Sequence, residues 1–370
     1  MKPTEFVKVN SQFWGDHLKS VSEHLPGSHG RELVGPLLYP RQLVLTETPD
    51  WNILELVGIS REFRSLEVRK QKAVGIDEYF GADPAVGPVV VLKTDDRYQD
   101  ATIATELGRT ALESRFPGIQ RMVGRELVGT GENKLLGFAP GNYSALERVL
   151  LVASTESSVR IRWTFLAIAI HRSEPADKYR EWLQQLVNQA PHLDPVGTLA
   201  VPRGQVEPLL KAEPFAATYQ HGLHKTTVGE FLQQHEEILL GAFEATQLVR
   251  EPVLEREDGT AVTPDFILER ADGSHIVGDL ALPLLETGKD GKKRRRSTTA
   301  ADGQQRVAEY AEYFKSSANQ DFAKTKYGVE ITEPRKLLVL ATSENPAETT
   351  PELELIDYDT ILRLYLATKS

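Results

Sequence analysis

The sequence predicts an α/β protein of two domains, and three observations carry that expectation. Its 370 residues exceed what one hydrophobic core usually organises. Five of its 21 prolines fall between Pro191 and Pro214, and residues without an amide donor interrupt helix and sheet alike. Beyond them, helical spacing, two Asp-Gly turns and short apolar runs succeed one another in the order αβββαβ. The expected division is a mixed α/β domain over 1–190, a proline-rich linker over 191–220 and a second domain over 221–370.

In the first domain the stretches 42–46, 88–93 and 159–165 read as strands, and 95–115 and 177–190 as helices. Tyr179, Trp182, Leu183, Leu186 and Val187 share one face of the last helix, a spacing that describes an aromatic core stripe better than a cofactor site. The second domain is more sharply punctuated. A helix is expected over 228–243, with Val228, Phe231, Leu232, His235, Leu239, Ala242 and Phe243 on one face. Asp258-Gly259 and Asp272-Gly273 favour the positive φ angles of tight hairpins, so three antiparallel strands are expected at about 252–256, 261–270 and 274–282. A basic stretch, a helix over 301–314, an apolar strand over 336–342 and a closing strand-helix pair from Leu353 follow. This αβββαβ order is the core order of the restriction-endonuclease-like fold.

Composition narrows the chemistry. With no cysteine, disulfide frameworks, thiolate zinc sites and cysteine nucleophiles are excluded, which leaves oxygen and imidazole chemistry. His221, His224 and His235 lack the helical spacing of a zinc motif. No apolar run is long enough to span a bilayer and the N-terminus lacks the apolar core of a secretory signal, so a soluble cytoplasmic protein is expected. A net charge of -10 means that any binding of nucleic acid must use a local basic patch.

Asp265 follows Pro264 at the expected second strand, and Asp279 lies 14 residues later on the third. On antiparallel neighbours joined by a tight turn, two such carboxylates can face each other across the pair and together hold a divalent cation. Magnesium prefers hard oxygen ligands, activates water and stabilises charge on phosphoryl oxygens. The spacing is that of the PD-(D/E)xK nuclease motif with one departure. Two residues after the second acid, on the same strand face, the motif lysine is replaced by Ala281. A methyl group can neither position the attacking water nor offset transition-state charge. The bland alternative is that Asp265 opens a strand after a bend and Asp279 bonds to nearby backbone.

Five segments in order carry a family likeness: Glu230–Leu240, the Thr263-Pro-Asp-Phe-Ile-Leu-Glu-Arg-Ala-Asp-Gly273 strand-turn, Asp279-Leu-Ala-Leu-Pro283, Gln305–Phe314 and Leu355-Ile-Asp-Tyr-Asp-Thr-Ile-Leu362. In order and wording they resemble the Shedu family of bacterial antiphage proteins, over about 220–370 only. The resemblance implies a magnesium-dependent, homo-oligomeric (dimeric or tetrameric) nuclease that cuts DNA during phage infection, its N-terminal domain sensing a phage-derived trigger. It matches Asp265 and Asp279 to the metal-binding acids and Ala281 to the catalytic lysine position, so the chain with Ala281 is expected to be inactive. The alternative is a non-catalytic DNA-binding or scaffold protein that retains the nuclease fold.

Further candidates surround the pair. Glu230 is placed to add a helical glutamate to the metal site, although Thr227-Val-Gly-Glu230 also reads as a capping box; Glu236 and Glu237 are the other acids on this helix. Gln305 opens the following helix as a residue contacting the site, with Gln304 an equal candidate. Lys289, Lys292, Lys293, Arg294, Arg295 and Arg296 set six bases and one acid beside Asp279. Such a run is either a solvated charge cluster or a surface that binds DNA phosphates without reading bases.

Overall fold

The computed structural model describes residues 1–24, 42–57, 66–73, 75–76, 79, 90–92, 97–99, 101–104, 106–115, 126–128, 136–138, 140–143, 145–154, 159–189, 215, 228–281, 300–340 and 352–368. The chain divides into two compact units. One comprises Met1–Glu106, Val123–Leu151 and Trp163–Pro214; the other comprises Leu107–Met122, Val152–Arg162 and Phe215–Ser370. Two segments of the N-terminal half thus belong to the C-terminal unit, which no single boundary along the chain can express. Apart from Phe215, the expected linker over 191–220 lies outside the described residues.

The first unit is mixed α/β. Strands Gln42–Glu47 and Trp51–Val57 pair antiparallel, with Leu45 opposite Leu54, and the second of them pairs antiparallel with the later residues of Val159–His171. Helices Pro3–His24 and Ala176–Gln189 bury their apolar stripes against this sheet, through Phe6, Val9 and Trp14 from one and Tyr179, Leu183 and Leu186 from the other. The expected core stripe is therefore core, with Trp182 half-buried at its margin and the Tyr179 hydroxyl donating to Asn10 Oδ1 at 2.8 Å. The helix expected over 95–115 starts only at Glu106. Of the described residues before it, Arg97–Gln99 and Ala101–Ala104 are short strands, the second taken up by parallel pairing with Glu126–Val128.

In the second unit the expected helix over 228–243 is two helices, Val228–Gln234 and Glu237–Phe243, whose common stripe of Phe231, Leu232, Ile238, Leu239 and Phe243 is buried. Glu244, in the left-handed region at φ 51°, ends the second helix. The strand that follows is Ala245–Arg250, antiparallel to Phe266–Arg270 at the sheet edge. It replaces the strand expected at 252–256, of which only Leu254–Glu255 remains, paired with Ala261–Val262 in a separate hairpin about Asp258-Gly259. The run expected over 261–270 breaks at Thr263-Pro264-Asp265, where proline cannot donate to a ladder.

The second Asp-Gly turn forms as expected. Gly273 has φ +77°, and Asp272 Oδ1 accepts the Ser274 amide and hydroxyl at 2.9 and 2.6 Å. It joins Phe266–Arg270 to its antiparallel partner His275–Leu280. Helix Ala300–Tyr313 then leads, through an additional helix Ser317–Tyr327, to Arg335–Leu340, which runs parallel to His275–Leu280. Leu353–Asp357 pairs parallel beyond it, and Val159–Ile161 lies parallel to Glu354–Ile356 in turn. Glu354, buried at 2% exposure, is held by Arg335 through Nε and Nη2 at 2.9 and 2.7 Å and by Arg115 at 3.4 Å. Such a pairing is needed to keep a carboxylate charged in a core. Val277, Ala281, Val307, Tyr310, Leu338 and Leu355 pack in one hydrophobic cluster between helix and sheet. Among the described residues no helix is long and apolar enough to cross a membrane.

Candidate metal centre

The geometry of the acidic pair follows from strand register. Phe266 stands opposite Gly278, so the register continued by one residue sets Asp265 opposite Asp279. Gly278 is required there. A Cβ on it would lie 2.1 Å from Phe266 Cζ, so the ring covers the glycine on the face away from Asp279. Asp265 is fixed from its own side, since its Oδ2 accepts the Leu280 amide at 2.6 Å. A carboxylate thus takes the place of a ladder carbonyl, which Pro264 and the strand break leave room for.

Asp279 is 2% exposed. Burial pushes its carboxyl up to about 8, and the charge of Asp265 and a hydrogen bond to it push the same way, while Arg306 pulls it down. Like charges directly opposite across a strand pair oppose folding. Two facing acids therefore favour positive charge beside them, and Arg306 supplies some of it. Two facing carboxylates are hard oxygen donors, a set that suits a divalent cation keeping several waters better than it suits zinc.

Arg306 is the site residue that sequence reading missed. Its Nε donates to Asp279 Oδ2 at 2.8 Å and its Nη2 donates to the same oxygen. Burial works against the guanidinium charge, yet the Asp279 charge and hydrogen bond hold its pKa above the ordinary arginine value. The helix is set close to the sheet at Gly303, where a Cβ would lie 2.7 Å from Leu338 Cδ1. Arg306 follows Gly303 by three residues and precedes Tyr310 by four, which places it on the inward stripe of the helix. That spacing is visible in the sequence, but an arginine at the edge of a stripe reads equally as solvent-facing.

Gln305 is exposed, whereas Gln304, the alternative at this turn, is buried at 6% exposure. From this helix Arg306 bonds Asp279. Glu230 is half-buried on its short helix, and among the described residues no three or more His, Asp or Glu side chains gather as a metal-holding group. Glu230 is therefore not brought to Asp265 and Asp279 as a third ligand. Its helix is instead tied to the neighbouring strand end by Arg250, whose Nη2 donates to the Gly229 carbonyl at 2.8 Å. Glu236 is exposed, and Glu237 pairs with His235 at 3.4 Å.

Ala281 is completely buried. Its amide donates to the Val339 carbonyl at 2.8 Å and its carbonyl accepts the Tyr358 hydroxyl at 2.7 Å. Side chains alternate along a strand, so Ala281 shares the face of Val277 and Asp279 toward the Arg306 helix. The basic run Lys289, Lys292, Lys293, Arg294, Arg295 and Arg296 lies outside the described residues, as does Thr227 of the expected capping box. Compared with known proteins, the chain matches no family model, and no curated protein or solved structure is significantly similar to it.

Proposed function

We propose that the C-terminal unit is a magnesium-dependent nuclease domain of the PD-(D/E)xK type acting on DNA phosphodiesters, in a protein of antiphage defence. The observation that carries the reading is the pair of facing carboxylates, Asp265 and Asp279. They stand where an antiparallel strand triplet passes through a crossover helix to a parallel fourth strand. Architecture alone does not specify chemistry; the paired acids at this point of it do. Asp265 and Asp279 would hold Mg²⁺, which when bound would lower the pKa of water and stabilise charge on the phosphoryl oxygens. Asp265, anchored by the Leu280 amide, orients the pair. The basic run after Asp279 would supply positive charge for DNA phosphates in a chain of net charge -10. The N-terminal unit is the sensing part, and the Shedu likeness extends the reading to a homo-oligomer in the cytoplasm.

A second reading, a DNA-binding protein without nuclease activity, is favoured by one observation. The motif lysine position is the fully buried methyl of Ala281. Plasmid and linear DNA incubated with the full chain, with Mg²⁺ or with EDTA, separate the two, using Ala281→Lys in parallel. Mg²⁺-dependent cutting by either protein supports the nuclease. DNA binding without cutting by both, with Ala281→Lys folded, supports the second reading.

A further inference from the structure

We propose that Arg306 is a catalytic residue, supplying from the helix the positive charge that Ala281 cannot supply from the strand, by contacting the scissile phosphate beside Asp279. The inference rests on the nuclease reading and goes beyond it by making the Ala281 chain competent.

The position of Arg306 carries the argument. A lysine two residues past Asp279 would set its charge on the strand face that Ala281 and Asp279 share. That face packs against the helix Ala300–Tyr313, with Ala281, Val307 and Tyr310 in one cluster. From this helix Arg306 sends Nε and Nη2 to a single oxygen of Asp279. A cation therefore already sits against the second acid, on the same face and from the opposite layer. Its side chain is 29% exposed while that of Asp279 is 3% exposed, so a phosphate approaching the pair from solvent meets the guanidinium before it meets the buried carboxyl.

The chemistry suits arginine in one of the two roles a lysine can fill. The guanidinium does not lose its proton in proteins, so Arg306 takes no proton from water. It does present a planar fork of donors matched to phosphate oxygens. In hydrolysis a water oxygen forms a bond to phosphorus and the bond from phosphorus to one sugar oxygen breaks. A proton leaves the water to solvent and one is taken up by the departing oxygen, with no change in oxidation state. Negative charge grows on the phosphoryl oxygens along that path, and a fixed cation beside them lowers the barrier.

The test uses the full chain and three variants, Arg306→Ala, Arg306→Lys and Ala281→Lys, with two readouts. Cutting is followed in Mg²⁺, and DNA affinity is measured against salt concentration in Ca²⁺, which takes the same class of oxygen ligands. The unaltered chain is expected to cut. Arg306→Ala should lower the cutting rate at saturating protein by about 10²–10³-fold, the effect of losing one transition-state donor. It should also flatten the slope of log affinity against log salt by about 0.9, the value of one phosphate contact. Arg306→Lys, which keeps the charge, should restore the slope and most of the rate. Cutting by Arg306→Ala at the unaltered rate overturns the proposal and leaves the nuclease reading standing. Lost cutting with an unchanged slope makes Arg306 a partner of Asp279 alone and overturns the phosphate contact. An unaltered chain that does not cut also overturns the proposal, and Ala281→Lys then separates the two ideas: if it cuts, the nuclease reading survives, and if it folds without cutting, both fail.

Discussion

Asp279→Asn is expected to stabilise the metal-free protein at pH 8 while abolishing divalent-cation-dependent cutting. The stability effect follows from the sign of the pKa shift. Asp279 titrates at about 8 in the folded chain against 3.8 ordinarily. Between those values the folded state binds a proton that the unfolded state does not, so stability is greatest at the acid end and falls as pH rises toward 8. Each tenfold change in proton affinity is worth about 1.4 kcal/mol, so the loss between pH 5 and pH 8 should be of the order of 2–4 kcal/mol. Asparagine carries no titrating group and retains an oxygen to accept from Arg306, so the Asp279 share of this dependence should vanish, leaving that of Asp357, whose carboxyl is pushed up to about 7 by burial. Thermal melts of both proteins in EDTA at pH 5 and pH 8 check this. A wild-type chain as stable at pH 8 as at pH 5 would mean that the pair carries no such strain. A stability optimum displaced by functional acids is the usual cost of keeping an active site poised.

The second large effect concerns the strand contact that sets the pair. Phe266→Ala removes a fully buried ring and should cost about 3–5 kcal/mol. Gly278→Ala places a methyl where the Phe266 ring lies and should cost about 1–3 kcal/mol by overpacking. Because the two changes act on one contact, their costs should not add. In the Phe266→Ala background the new methyl meets the space the ring vacates, and Gly278→Ala there should cost at least 1 kcal/mol less than it does alone. Denaturant unfolding of the two single variants and the double variant measures the coupling. Additive costs would show that the ring does not lie on the glycine.

How far these features were legible in the sequence depends on how local their causes are. The Asp272-Gly273 hairpin and the opposition of Asp265 to Asp279 are legible because turn chemistry and a two-residue period fix them within 15 residues. The strand Ala245–Arg250 is not, because Ala-Thr-Gln-Leu-Val-Arg has no clear alternation and lies at a sheet edge, where burial imposes little pattern. The break after Gln234 is hidden for the opposite reason: the apolar stripe continues in phase across it. Pro264, which cannot donate to a ladder, divides the expected strand over 261–270 into Ala261–Val262 and Phe266–Arg270. Arg306 required tertiary information, since nothing local distinguishes an arginine that bends in toward Asp279 from one that extends into solvent. The same holds for Leu107–Met122 and Val152–Arg162 in the second unit, where Arg115 bonds Glu354 across 239 residues of sequence.

The most direct test of the account is whether the facing aspartates bind a divalent cation. Titration of the full chain with Mn²⁺ at pH 8, followed by calorimetry or by the electron paramagnetic resonance of unbound Mn²⁺, should show saturable binding that Mg²⁺ competes away. Asp265→Asn and Asp279→Asn should each abolish it, with both variants folded. Mn²⁺ binding by either variant that matches the unaltered protein would contradict the account, as would no binding by the unaltered protein.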